Sequence, residues 1–146
     1  MDLSRRRDLM GQKSDVLNTS PKIAYENAHI ISGGNIAEDQ TCVVTALYPY
    51  SNPSDSTYTL CYYGTQGNMA LYSADRRYID YWSITAVDTP KTRAVLYKNS
   101  RTSFAAFTLR KNMLDDCFAY VTNTGQILFA GKNSIYYGHR NISEIT

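Results

Sequence analysis

TCVVTALYPY at residues 41–50, followed after a turn by TYTLCYYG at 57–64, decides how this chain is read. The first run is β-branched and apolar at consecutive positions. A strand takes that composition when layers cover both of its sides. SNPSDS, at 51–56, is a turn cluster of Ser, Asn, Pro and Asp. Two buried strands joined by such a turn imply a layered β protein.

The same punctuation continues outward. KIAYENAHII, at 22–31, reads as a strand at its ends and as strand or helix in its middle, and SGGN at 32–35 breaks it. GTQGN, at 64–68, is predicted to end the second strand. MALYSADRRYIDYWSITAVD, at 69–88, holds a short strand, a turn near Asp75 and a longer strand over 78–87. Alternation in that longer strand puts Trp82, Ile84 and Ala86 toward a core, with Ile79, Tyr81, Ser83 and Thr85 on the other side. RAVLYK and SFAAFTLR are two further strands. CFAYV and QILFAG flank TNTG, a hairpin in which Gly125 can take a positive φ. SIYYG, at 134–138, reads as a last short strand. Turn signals recur roughly every 8–12 residues, the spacing of an antiparallel sandwich or barrel. The expected fold is all-β: an antiparallel, jelly-roll-like β-sandwich over residues 23–146. Residues 1–22 form a basic arm, extended or briefly helical, and a polar linker.

Charge separates the arm from the body. Residues 1–13 carry Arg5, Arg6, Arg7 and Lys13 against Asp2 and Asp8, which accounts for the whole net charge of +2; the remainder holds 11 basic and 11 acidic side chains. A neutral body has no global field for a polyanion, so specific nucleic-acid binding is not expected. No run approaches the ~20 apolar residues of a membrane helix, so no membrane insertion is expected. Cys42, Cys61 and Cys117 fit no metal-ligand spacing and read as small buried hydrophobes. A disulfide among them, Cys42 to Cys61 first, stays open at this point.

Catalytic chemistry finds few groups. The chain has two histidines and no nucleophile elbow, zincin or phosphate-loop motif. Glu26 and His29, three apart, would share a face only on a helix, and no third metal ligand suggests itself. Asp75 with Arg76 and Arg77 reads first as a charged turn and second as an anion or sugar contact. No enzyme activity, cofactor or metal is expected. Binding fits better. Thirteen tyrosines supply rigid amphipathic surface for subunit interfaces or for stacking sugar rings. Tyr62, Tyr63, Tyr78 and Tyr81 form one candidate platform. Tyr136, Tyr137 and Arg140, beside His139, form another. The arm residues Leu3, Arg5, Arg6, Arg7, Leu9 and Met10 suit docking on an acidic partner.

The opening MDLSRRRDLMGQK and the stretch DDCFAYVTNTGQILFAGKNSIYYGHRNIS, at 115–143, resemble small virion structural proteins of gut bacteriophages and prophages. In these a basic arm precedes a β-rich fibre or decoration domain. The resemblance implies a non-enzymatic virion component, assembled in the host bacterial cytoplasm and fixed to other capsid or tail proteins by its arm. It also implies a homo-oligomer, trimer favoured, with a possible host glycan as ligand. A free carbohydrate-binding module using Tyr62, Tyr63 and Tyr81 is the alternative.

Overall fold

Two antiparallel sheets lie face to face in the computed structural model, which describes residues 18–49, 57–84, 91–96 and 102–145. The strands are β1 (Ile23–Ile30), β2 (Ile36–Thr45), β3 (Tyr48–Pro49), β4 (Thr57–Tyr63), β5 (Thr65–Ser73), β6 (Tyr78–Ile84), β7 (Lys91–Leu96), β8 (Thr102–Arg110), β9 (Phe118–Val121) and β10 (Gln126–Ala130). One sheet has the order β1-β2-β8-β5-β6, with β3 also pairing β8; the other has the order β10-β9-β4-β7. The antiparallel sandwich that the turn spacing predicts is therefore present. Its roll-like part is the set of crossings from sheet to sheet, such as β4 to β5, β7 to β8 and β8 to β9. The pairs β1–β2, β5–β6 and β9–β10 are hairpins within one sheet.

The core lies between the sheets. Val43, Met69, Leu71, Phe107 and Leu109 enter from one sheet and Leu60, Tyr62, Val121 and Phe129 from the other. Phe107 and Phe129 meet edge to face, with centroids 5.2 Å apart, and Tyr48 packs on Phe129 at 5.4 Å. The 41–50 reading holds over residues 42–45, which are all buried; Thr41 and Pro49 are exposed, and Tyr50 lies outside the described residues. β2 pairs with β8 only as far as Val44, and β3 resumes the pairing at Tyr48. In the gap, the Phe107 N–H donates to Thr45 Oγ1 at 3.0 Å, so the buried donor keeps a partner.

Among the described residues, part of each outer face is covered, each by a different device. On the first sheet the distal half of the β1–β2 hairpin folds over the strands. The pairing slips between Glu26↔Val43 and Ala28↔Glu38, and Asn27 takes a φ of 53°. Between these pairs one residue of β1 faces four of β2, a surplus that interrupts the ladder and bends the hairpin. Ala28 and Ile30 then bury against Val44, Ala70 and Ala106, whose small side chains allow close approach. The Ile30 N–H donates to Thr108 Oγ1 at 3.1 Å. At the hairpin tip Gly34, φ 77°, lies so close to Tyr78 that a Cβ would be 2.6 Å from its ring. On the second sheet, outward-facing Cys61, Phe118, Ile127 and Ala130 are covered by Tyr136 and Ile145 from the C-terminal segment.

Several local expectations change. SIYYG is a run of turns, not a strand, and GTQGN does not end the sheet region: Gly64, φ 82°, is the whole connection between β4 and β5. Ile79 is an extra residue where Leu71 pairs Asp80 and Tyr72 pairs Tyr78. It therefore reaches the core while Tyr81 packs on the outer face. Trp82 is registered opposite Met69, and its side chain lies outside the described residues. The linker boundary also moves. The Ala130 N–H donates to Thr19 O at 2.7 Å, and the Gly138 N–H to Thr19 Oγ1 at 2.9 Å, so residues from Thr19 onward belong to the sandwich. The arm, with Leu3, Arg5, Arg6, Arg7, Leu9 and Met10, lies outside the described residues.

Cys42, Cys61 and Cys117 are free and buried. Cys117 donates to Leu114 O at 3.3 Å, and burial pushes its thiol from 9.0 up to about 12. The folded state thus keeps a proton that the unfolded chain releases above pH 9. Its contribution is fully present below pH 9 and is lost as pH rises toward 12. The full loss, complete only near pH 12, is on the order of 4 kcal/mol. Denaturant titrations from pH 8 to 11 should record falling stability, and Cys117→Ala should remove much of that slope. An unchanged slope in the variant would assign the alkaline loss to other groups.

Candidate functional site

The tyrosines nominated from sequence are separated by the fold. Tyr62 is a correction: it is 1% exposed and faces the core, because β4 turns Leu60 and Tyr62 inward and Cys61 and Tyr63 outward. It serves neither a glycan platform nor a subunit interface. Tyr63 is half-buried on the outer face of the second sheet, 6.1 Å from Phe118. Tyr136 joins the same cluster, 4.9 Å from Phe118 and 5.1 Å from Tyr120. Burial, then hydrogen bonding with Cys61 and Tyr136, raises the Tyr120 phenol above its ordinary value. These rings hold the C-terminal segment down, which is packing chemistry. Tyr137 is half-buried, and its N–H donates to Ser134 O at 3.1 Å. Tyr81 packs on the outer face of the first sheet.

Tyr78 is 37% exposed, stands edge-on to Tyr72 at 6.2 Å, and borders a recess of ≈ 600 Å³ with Asp75, Arg77 and Ser103. The Asp75 carboxylate is already engaged. It accepts from the Ser73 hydroxyl and lies 3.2 Å from Arg77 Nε, and the Ser73 bond leads the causes that lower its pKa. Arg76, φ 64°, sets its guanidinium 4.8 Å from the Phe104 ring centroid. This is a charged turn holding itself in shape, with Tyr78 and Ser103 as its outward groups.

A second recess, ≈ 350 Å³, opens where the chain enters the sandwich. Lys22, from the entry segment, and His139 and Arg140, from the C-terminal segment, line it together with Gln126, Tyr48 and Pro49. Its frame is hydrogen-bonded. The Lys22 N–H donates to Tyr48 Oη at 2.6 Å, and Gln126 Nε2 donates to Pro49 O at 2.8 Å. The Arg140 N–H donates to Glu144 Oε1 at 2.9 Å. Arg140 Nε lies 3.8 Å from Glu144 Oε2, longer than a hydrogen bond and solvent-exposed. Lys22 and His139 have no ion-pair partner among the described residues. A third recess, also ≈ 350 Å³, is the apolar cleft under the folded hairpin, bordered by Tyr25, Ile36 and Leu47.

Glu26 and His29 do not form the metal pair considered from sequence, because β1 is a strand and His29 Nδ1 instead lies 3.3 Å from Asp39 Oδ2. Asp39 is held by the Thr41 hydroxyl at 2.6 Å and the Thr41 N–H at 2.9 Å, which lower its pKa. Among the described residues no three His, Cys, Asp or Glu groups gather for a metal, and no helix is long and apolar enough to cross a membrane. No protein-family model, curated protein or solved structure matches the chain. Of the nominated residues, the fold places Arg140 in a recess with Lys22, Gln126 and Pro49, which the sequence did not single out. Among the described residues, the Thr19 bonds bring the entry and C-terminal segments together, and the Lys22 N–H to Tyr48 and Ile127 N–H to Arg140 O bonds fix Lys22 and Arg140 beside the recess.

Proposed function

We propose that this chain is a non-enzymatic assembly module, a fibre or decoration component of a bacteriophage particle. Its arm, residues 3–10, would dock on other virion proteins, and its sandwich would oligomerise and face outward. The observation that carries the oligomer is an apolar patch at the folded hairpin. Of the five large hydrophobic side chains exposed on the described surface, four are Tyr25, Ile31, Ile36 and Tyr78. Ile31 and Ile36 flank the hairpin tip, which rests on Tyr78. Among the described residues, part of each outer face is covered by the protein's own chain, and an apolar patch of this kind marks a contact surface. The basic arm and the resemblance of residues 115–143 supply the virion half of the reading.

Solution mass by light scattering tests it. The full chain and a chain lacking residues 1–17 should both be oligomers, trimers favoured, and Ile31→Asp/Ile36→Asp should be a folded monomer. The cut belongs before Asn18, because removing Thr19 would break its bonds to Ala130 and Gly138. Monomers throughout would remove the fibre reading. The alternative, carbohydrate binding, loses Tyr62 to the core and keeps the recesses beside Tyr78 and Arg140.

A further inference from the structure

The ≈ 350 Å³ groove at the chain entry is at the small end of ligand sites. Three basic side chains line it, and no carboxylate does. Lys22 and His139 lack an ionic partner among the described residues, and Arg140 meets Glu144 only at 3.8 Å across solvent. These side chains come from opposite ends of the described chain and are brought to one rim by fixed backbone bonds: Lys22 through Tyr48, Arg140 through Glu144. The rim therefore sets the Lys22 ammonium, which has no ionic partner among the described residues, beside the Arg140 guanidinium with its exposed contact to Glu144, on a hydrogen-bonded frame.

The remaining lining says what kind of anion fits. Pro49, Ile127 and Leu128 contribute the apolar part of the lining, which suits the C–H face of a ring. Gln126 donates its amide to Pro49 O, and its carbonyl stays available to accept from a hydroxyl. Ser20 adds a hydroxyl at the wall. A bare inorganic anion would use the cations and waste the apolar lining; a neutral sugar would do the reverse. The body's balance of 11 basic and 11 acidic side chains outside residues 1–13 offers no extended field for a polyanion.

We infer that this groove is a binding site for a hydroxylated carboxylate of the uronic-acid class, its carboxylate held by Lys22 and Arg140 with His139 beside them. The ring lies on Pro49 and Ile127, and Gln126 takes a hydroxyl. Arg140 offers the planar fork that matches a carboxylate, and Lys22 adds a point charge. The inference goes beyond the virion reading and does not depend on it.

Calorimetric titration of the full chain with sodium glucuronate and sodium galacturonate tests it, with glucose and inorganic phosphate as comparators. At least one uronate should bind about tenfold or more tightly than either comparator. Lys22→Gln/Arg140→Gln should weaken that binding about tenfold or more, as expected when charge-assisted hydrogen bonds are lost. Both positions are exposed, so the double variant should melt with the parent. No heat with either uronate, equal binding of glucose, equal binding of phosphate, or an unchanged affinity in a folded double variant would each overturn the assignment. Solution mass measured on the same samples reads the oligomer separately, so either proposal can fail alone.

Discussion

Gly131→Ala should cost more than about 4 kcal/mol, enough to leave a domain of ordinary stability largely unfolded. A Cβ on Gly131 would sit 2.3 Å from Leu114 O and 2.5 Å from the carbonyl carbon and oxygen of Asp115. All three are backbone atoms, so no side-chain rotation relieves the overlap. The neighbouring backbone cannot retreat cheaply. The Gly131 N–H donates to Cys117 O at 2.7 Å, and the Asn133 N–H to Asp115 O at 2.7 Å. Relief therefore means separating the end of β10 from the turn before β9, and with it the buried Cys117. Chemical denaturation, or failure to recover soluble protein, is the readout. A variant within 1 kcal/mol of the parent, where surface substitutions commonly fall, would show that the 114–117 turn yields.

Phe129→Ala should cost about 3–5 kcal/mol. Phe129 is fully buried in the second sheet and touches two rings, Phe107 across the core at 5.2 Å and Tyr48 at 5.4 Å. It is the aromatic joint between the sheets, so its loss leaves a cavity walled on both sides. Phe107→Ala should cost a similar amount. The double variant should cost less than the two singles together, by about 0.5–1.5 kcal/mol, because the edge-to-face contact is lost only once. Strict additivity from denaturant melts would mean that the two rings do not support each other.

Much of the fold was legible. Apolar residues on both faces of 41–50 marked a doubly covered strand, and TNTG marked the β9–β10 hairpin, where Gly125 takes a φ of 74°. Tyr62 was not legible, because TYTLCYY is aromatic or apolar on both faces and no period chooses the inward side. The folded hairpin was hidden for another reason. Its bend is a mismatch of register between β1 and β2, a property of pairing that neither strand shows alone. The alanines at 70 and 106 carried a weak trace of it, since small outward residues on central strands leave room for a cover. The basic groove was half legible. Arg140 stood in an aromatic, basic cluster, but Lys22 looked like linker, and it is tertiary bonds, those of Thr19 to residues 130 and 138 and of Lys22 itself to Tyr48, that bring it alongside.

The pairing of β2 with β8 sets an order of events during synthesis. Cys42 meets Arg110, and Val44 meets Thr108. A ribosome delivering this chain therefore exposes β2, whose residues 42–45 are buried in the finished protein, well before its neighbour exists. Until β8 emerges, that edge has only β1 beside it and the waiting strand is a template for foreign strands. Delayed closure of this kind slows folding and invites aggregation. Yield in the cell should then be limited less by final stability than by what shields β2 while β8 is still being made.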